Sequence, residues 1–256
     1  MYAEERQQAI ADEVRRVGRA SVADLAGRFS VTSETVRRDL ATLERAGHLQ
    51  RVHGGAVRPG LIRVVAEQGL DVRETTHVDR KLAIGMAAMK FLPPNGGSVL
   101  FDAGTTTFQA AMALPHGHGL TLITNSIPIA GALTNHSDGF VHAIGGRVRG
   151  LTQATVGADT VAAIHRLRVS TVFIGTNGIT ARHGLSTPYP EEAAVKRAMV
   201  ASADQVVVLA DSSKMGREDL VRFASLDEVD VLITDSTVSS TDATELADHG
   251  IEVVLA

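Results

Sequence analysis

Four short runs in this chain are rich in groups that hold an anion and poor in groups that transform one. Asp102-Ala103-Gly104-Thr105-Thr106-Thr107, Thr124-Asn125-Ser126, Gly145-Gly146 and Gly175-Thr176-Asn177-Gly178 each follow a short apolar stretch. Glycine lets the backbone approach an anion closely, and threonine and serine add hydroxyl donors. A helix starting after Gly104 adds free N–H groups and partial positive charge. The chemistry is recognition of a phosphate group on a hydroxylated small molecule. Further on, Glu191-Glu192 and Lys196 share a helical stretch, and Asp211-Ser212-Ser213-Lys214 follows another apolar run. Lysines there can neutralise phosphate, and the acids can accept sugar hydroxyl protons. At a spacing of i,i+4, Glu192 and Lys196 read equally well as an exposed ion pair of little energetic value.

A second set of reactive groups lies near the front of the chain. Val36, Leu40 and Leu43 form one apolar helical stripe, and Glu34, Arg38, Ala41 and Arg45 project opposite it, with Arg37 on the flank. An arginine so placed can grip phosphate or bond a guanine edge through two N–H groups. Ser33 and Thr35 stand at the helix start, where hydroxyls and backbone N–H groups reach phosphate. Arg51 and His53 precede Gly54-Gly55, and Arg58 follows it. That stretch reads as a two-stranded wing whose arginines contact DNA backbone or minor groove.

The elements that must position these groups are legible. Ile10, Val14 and Val17 mark a first helix. Ser21 is an N-cap with Asp24 three residues on, and Val22, Leu25, Ala26 and Phe29 form the apolar face of a second helix. Ser30-Val31-Thr32 is the turn, and Ser33 is expected to cap the third helix. Helix, turn, arginine-bearing helix and wing, in that order, form a winged helix-turn-helix, which places one helix in a DNA major groove.

Charge follows the same division. The chain of 256 residues carries a net −4. Residues 1–60 hold 10 Arg against 8 Asp and Glu, and the remainder holds 15 Lys and Arg against 21 Asp and Glu. The positive end is the end that would face DNA. There is no cysteine, so disulfides and thiolate metal sites are excluded. The start, MYAEERQQ, has no signal-peptide pattern, and no apolar run is long enough to span a bilayer. The expectation is a cytoplasmic chain without membrane contact.

Beyond Pro59-Gly60, apolar runs alternate with helical stretches. Val99–Asp102, Leu120–Thr124, Val141–Ile144, Thr171–Gly175, Gln205–Ala210, Val229–Thr234 and Glu252–Leu255 are mostly unalternating, which predicts a parallel sheet covered on both faces. Helices are predicted at Lys81–Phe91, Thr107–Leu114, Ile127–Leu133, Thr160–His165 and Glu191–Ala203. The expected organisation is a DNA-binding module over 1–58, a linker over 59–78 and an α/β domain with a mostly parallel sheet over 79–256. In an open parallel sheet, ligands bind beyond the carboxyl ends of the strands, where the four anion-holding runs fall. No GxGxxG follows a strand and no GxxxxGK[ST] occurs, so no nucleotide cofactor is expected. His116-Gly117-His118 lacks a third ligand at a recognisable spacing, so no metal is expected.

The run SVADLAGRFSVTSETVRRDLATLERAGHLQRVHGGAV resembles the N-terminal signature of DeoR-type bacterial transcriptional repressors. FDAGTTT, TNS, GTNGI, GLSTPYPEEAAVKRAM and VLADSSKMG resemble the effector domain of the same family, which is similar in fold to ribose-5-phosphate isomerase. The resemblance implies DNA contacts from Ser33, Thr35, Arg37, Arg38, Arg51 and His53. It implies an effector pocket lined by Asp102, Gly104, Thr105, Thr106, Thr124, Asn125, Ser126 and Lys214, with Thr107 in the same run and Gly175, Asn177, Glu192 and Lys196 as neighbours. It also offers Arg73, at the entry to that domain, a role beyond the linker, although a solvated linker arginine reads equally well. The implied function is repression of a sugar or polyol operon, relieved by a phosphorylated sugar, with a dimer or tetramer on double-stranded operator DNA. The alternative is a sugar-phosphate isomerase with an appended DNA-binding module. Those isomerases carry an Asp-Gly-Ala-Asp-Glu motif, whereas Gly175-Thr176-Asn177-Gly178-Ile179 has no carboxylate, so the expectation is a sensor and not an enzyme. A third reading leaves the second domain a purely oligomerising role.

Overall fold

The computed structural model describes residues 3–17, 19–52, 55–57, 69–136 and 140–256. The chain divides into two compact units, Met1–Val64 and Val65–Ala256.

The first unit runs α1 (Ala3–Val17), β1 (Arg19–Ser21), α2 (Val22–Phe29), α3 (Ser33–Arg45), β2 (Gln50–Val52) and β3 (Gly55–Val57). Its core takes Ile10 and Val14 from α1, Val22 and Leu25 from α2, and Val36, Leu40 and Leu43 from α3, all buried. Ser21 caps α2, accepting the Asp24 N–H at 3.0 Å. The cap of α3 is Thr32 and not Ser33. Thr32 has extended backbone and its hydroxyl accepts the Thr35 N–H at 3.2 Å, which leaves Ser33 as the first helical residue. The wing also differs from the expected two strands. β1 joins it in an antiparallel sheet of order β1-β3-β2. Gly55 sits inside that sheet, opposite both Ser21 and Val52. A Cβ there would come within 2.3 Å of the Ala20 carbonyl oxygen, so glycine permits the close approach of β1 to β3.

In the second unit the helices are α4 (Leu70–Thr75), α5 (Val78–Ala87), α6 (Thr105–Met112), α7 (Ile127–His136), α8 (Ala158–Ile164), α9 (Pro190–Ser202) and α10 (Ser240–Asp248). The strands are β4 (Ser98–Phe101), β5 (Thr121–Thr124), β6 (Val141–Ala143), β7 (Arg147–Arg149), β8 (Ala154–Val156), β9 (Val169–Gly175), β10 (Gly178–Thr180), β11 (Gly184–Thr187), β12 (Ala203–Leu209), β13 (Val221–Ala224), β14 (Val231–Thr234) and β15 (Glu252–Leu255). The seven runs predicted as strands form one parallel sheet of order β15-β14-β12-β9-β4-β5-β6. β7 pairs with β8, and β10-β11-β13 form a small antiparallel sheet; both lie outside the predicted strands. α4 falls inside the stretch read from sequence as linker. Its first residue, Leu70, donates its N–H to the Leu151 carbonyl at 3.1 Å.

Alternate residues of the central strands feed two separate cores. Leu100, Val172, Ile174 and Val208 face α8 and α9, and Val99, Phe101, Phe173, Val207 and Leu209 face α5, α6 and α7. With both faces covered, no polar alternation survives in the sequence. Phe101 and Phe173 stack across β4 and β9 at 5.4 Å between ring centroids, an arrangement that adds about 0.5–1.5 kcal/mol beyond area burial. Gly85 brings α5 against α6, since a Cβ there would meet the Gln109 backbone at 2.7 Å.

The order of strands sets the place of the site. From β4 the chain steps outward to β5 and β6, then returns to the other side of β4 with β9, β12, β14 and β15. The direction reverses between β4 and β9, and a crevice opens at such a switch point beyond the strand ends.

Candidate functional site

At that switch point the loop after β4 leads directly into α6. Gly104 caps α6 without a side-chain hydrogen bond, and the leading N–H groups of a helix have no acceptor within it. A cavity of about 230 Å³ opens there, its wall including Gly104, Thr105, Thr106, Thr107, Gly175 and Lys214 from the predicted set. The Thr107 hydroxyl turns back to the Gly104 carbonyl at 2.9 Å and tightens the first turn. A second cavity, of about 310 Å³, shares Gly104 and Thr105 with the first and is also lined by Ser126.

The structure adds cations that the sequence reading left unassigned to the pocket. Arg73 from α4, Lys81 from α5 and Arg217 join Lys214 around the first cavity, with His77 and Thr76 at the edge. The carboxylate that lines it among the described residues is Asp211. Burial lowers the Lys81 pKa to about 8; the like charges of Lys214 and Arg73 add to the fall and Asp211 opposes it. Burial also lowers the Lys214 pKa, with Arg73 and Arg217 acting in the same direction and Asp211 against them. Two lysines held below their usual range and two arginines, with one carboxylate among the described lining residues, form a site suited to an anion.

Each cation is placed by local structure. Lys81 donates to the Arg73 carbonyl and to the Thr76 carbonyl at 2.6 Å, tying the end of α4 to α5. Lys214 ends a short 3₁₀ turn, Ser212–Lys214, capped by Asp211, which accepts the Ser213 N–H at 3.0 Å. Asp235 accepts the Ser212 N–H at 2.7 Å, and Arg80 reaches Ser212 at 3.1 Å and Asp235 at 3.7 Å.

The other predicted pocket residues stand one layer back and line neither cavity. Asp102 accepts the Gly175 N–H at 3.0 Å and forms a buried ion pair with Lys196, whose ammonium also donates to the Gly175 carbonyl at 2.9 Å. Burial pushes the Asp102 carboxyl up, and Lys196 pulls it down. Thr124 donates to the Phe101 carbonyl at 2.8 Å, and Asn125 accepts the Ala103 N–H at 3.0 Å, so both shape the loop before α6. The Asn177 side chain accepts from Thr187 at 3.2 Å. Glu192 and Lys196 do not pair with each other. Glu192 accepts from Arg149 at 2.9 Å and Thr152 at 2.5 Å. Among the described residues no group of three or more His, Cys, Asp and Glu could hold a metal ion. No helix of the described residues is long and apolar enough to cross a membrane.

In the first unit, α3 turns its apolar stripe inward and its polar side out. Ser33 is exposed and Thr35 half-buried, and the Arg37 and Arg38 side chains are 59% and 81% exposed. Glu34 lies 3.7 Å from Arg37 and 3.8 Å from Arg38, loose surface pairs that a phosphate can displace. Arg51 lies in β2, opposite Ala56; His53 lies outside the described residues. Sequence reasoning missed the device that fixes α3. Buried Asp39 accepts from Arg6 at 2.6 Å and from Gln7 at 2.8 Å, which locks α1 to α3 next to Arg38. The available signal was a charged residue at a core-facing position on each helix: Asp39 beside Leu40, and Arg6 one turn before Ile10.

Comparison with known proteins covers both units. A family model described as a DeoR-like helix-turn-helix domain matches residues 6–60, and one described as a DeoR C-terminal sensor domain matches residues 76–236. The chain is similar to the HTH-type transcriptional regulator GlpR of Haloferax volcanii, 37% identical over 254 residues, covering 99% of this chain and 98% of that protein. It is similar to the HTH-type transcriptional repressor GlcR of Bacillus subtilis, 31% identical over 255 residues, covering 100% and 97%. Among solved structures, ribose 5-phosphate isomerase A from Neisseria gonorrhoeae matches 56% of each chain at 14% identity, with a TM-score of 0.41.

Proposed function

The chain belongs to the DeoR family of helix-turn-helix transcriptional regulators, and from that premise we propose that it represses a sugar or polyol operon and leaves its operator when a phosphorylated sugar fills the cavity at the start of α6. One observation carries the reading: Arg73, Lys81, Lys214 and Arg217 surround a helix N-terminus with one opposing carboxylate. A phosphate monoester offers negative charge to these cations and accepts from the Thr105 and Thr106 run. Ser33, Thr35, Arg37, Arg38, Arg51 and His53 form the DNA-reading set. Two or more copies act together in the cytoplasm, because one helix-turn-helix reads too few bases for genomic specificity.

Release requires the effector to bind the operator-free state more tightly than the operator-bound state. Typical coupling of this kind changes affinity by about 5–150-fold, and by linkage DNA weakens effector binding by the same factor. The test is operator retention by the purified chain against a panel of sugar phosphates. Loss of retention with one phosphorylated sugar and not with its unphosphorylated parent supports the reading; retention under every compound overturns it.

An isomerase reading is less well supported. That reaction needs a base beside the substrate C–H bond. Asp102 and Glu192, the acids the sequence offered, are committed to Lys196 and Arg149. Turnover of pentose or hexose phosphates at enzyme-like rates would favour it over the sensor.

A further inference from the structure

Arg73 and Glu74 are consecutive residues of α4, yet they line different cavities. Arg73 lines the first, of about 230 Å³, and Glu74 lines the second, of about 310 Å³. Lys81, Gly104 and Thr105 line both cavities, so the two are neighbours. Their chemistry is opposite. The first gathers Arg73, Lys214 and Arg217 around the shared Lys81, against Asp211. Among the described residues, the second has Glu74 as its one charged residue beyond the shared lysine, with an apolar wall of Leu70, Val78, Phe108 and Pro128. Gln109 and Ser126 offer it neutral hydrogen-bonding groups.

Resting on the sugar-phosphate reading above, we propose that the second cavity receives the non-phosphorylated end of the effector and that Glu74 restricts the effector to molecules with a single anionic end. A phosphate anchored among the four cations directs the body of the molecule past Lys81, Gly104 and Thr105 toward the second cavity. The far end then meets C–H-binding surfaces from Phe108 and Pro128 and a carboxylate that accepts hydroxyl protons. A second phosphate or a terminal carboxylate at that end faces Glu74, and the one cation lining that cavity among the described residues is the shared Lys81. Like charges a few ångströms apart repel, and the repulsion grows as water is excluded. The pair Arg73 and Glu74 therefore sorts ligands by polarity: anion toward one side of α4, neutral polyol toward the other. The position of α4 that makes this possible is held by Lys81 through the Arg73 and Thr76 carbonyls.

The test uses the full chain and matched ligands: glucose 6-phosphate with glucose 1,6-bisphosphate, and fructose 6-phosphate with fructose 1,6-bisphosphate. Binding is read by calorimetry and thermal shift. Within the pair that binds, the monophosphate is expected to bind at least about tenfold more tightly than the bisphosphate. Glu74 is exposed, so substitution there is compatible with folding, and an unchanged melting temperature without ligand confirms it. Glu74→Gln should narrow the ratio, and Glu74→Lys should bring the bisphosphate level with the monophosphate or beyond it. Equal binding of both ligands to the unaltered chain overturns the proposal, as does a ratio that neither substitution moves. If none of these ligands binds and no sugar phosphate of the panel relieves operator retention, the sugar-phosphate reading itself fails, and this inference with it.

Discussion

Lys196 and Asp102 lie 94 positions apart in the chain and form a buried ion pair at the switch point of the central sheet. The pair joins α9 to the loop before α6, and Gly175 at the end of β9 bonds to both partners. The loop before α6 and the end of β9, which both line the cavity, are thus held to α9 by one cluster of charge-assisted hydrogen bonds.

Breaking this pair from one side leaves a buried charge without its partner. Lys196→Met should destabilise the chain by about 3–5 kcal/mol, whereas Lys196→Met with Asp102→Asn should recover much of that loss. Urea unfolding of the single and double variants checks it. A single variant as stable as the parent would show that the pair does not hold the loop.

Lys81 makes effector binding depend on pH. Its pKa is about 8 in the free chain, and a bound phosphate raises it by stabilising the ammonium. Binding near pH 8 should take up protons, and affinity should fall as pH rises through and above 8. Calorimetry in buffers of different ionisation enthalpy measures the uptake, and Lys81→Met should reduce it, leaving the part due to Lys214. Stability of the free chain should follow the opposite trend. The ordinary lysine value is 10.5; between about 8 and 10.5 the unfolded chain retains a proton that the native state has lost. Lys81 therefore contributes a stability that rises with pH across that window.

Arg38 projects from α3 with little contact to its own unit, so its loss should leave folding intact. Arg38→Ala should weaken operator binding by about 1–3 kcal/mol and relax sequence preference if it reads a base edge. Uniform weakening on all sequences, with a salt slope reduced by about one, would identify a phosphate contact. Operator affinity equal to the parent's would remove Arg38 from the interface.

Thr106 is the half-exposed hydroxyl of the α6 entry, between the buried Thr105 and Thr107. Thr106→Asp puts a carboxylate where the phosphate is proposed to sit. The variant should keep operator binding and lose the response to effector. Thermal stabilisation by the effector at about a hundred times its dissociation constant, roughly 2.7 kcal/mol for the parent, should vanish.

Much of the architecture was legible because its causes are local. Unbroken apolar runs such as Val206–Leu209 reported a sheet covered on both faces, and Val36, Leu40 and Leu43 reported the inward face of α3. Small hydroxylated residues after β4 marked a strand end leading into a helix. The cap at Thr32 was misplaced by one position because Thr32 and Ser33 both qualify chemically; only backbone conformation separates them. The short strand β1 was missed because three residues, Arg19–Ser21, carry no period, and their partner lies across the wing.

The exposed, arginine-bearing face of α3 and the anion-friendly entry to α6 were determined by the order of residues alone, since helical period, capping and glycine freedom act over a few positions. The partners of each charge were decided by the tertiary structure. Strand order set Asp102 beside Gly175 and turned Lys196 away from Glu192, and the packing of α4 and α5 brought Arg73 and Lys81 to a pocket shared with Lys214 and Arg217. Such meetings depend on which strand lies next to which and how each helix crosses them, and no short-range pattern encodes that.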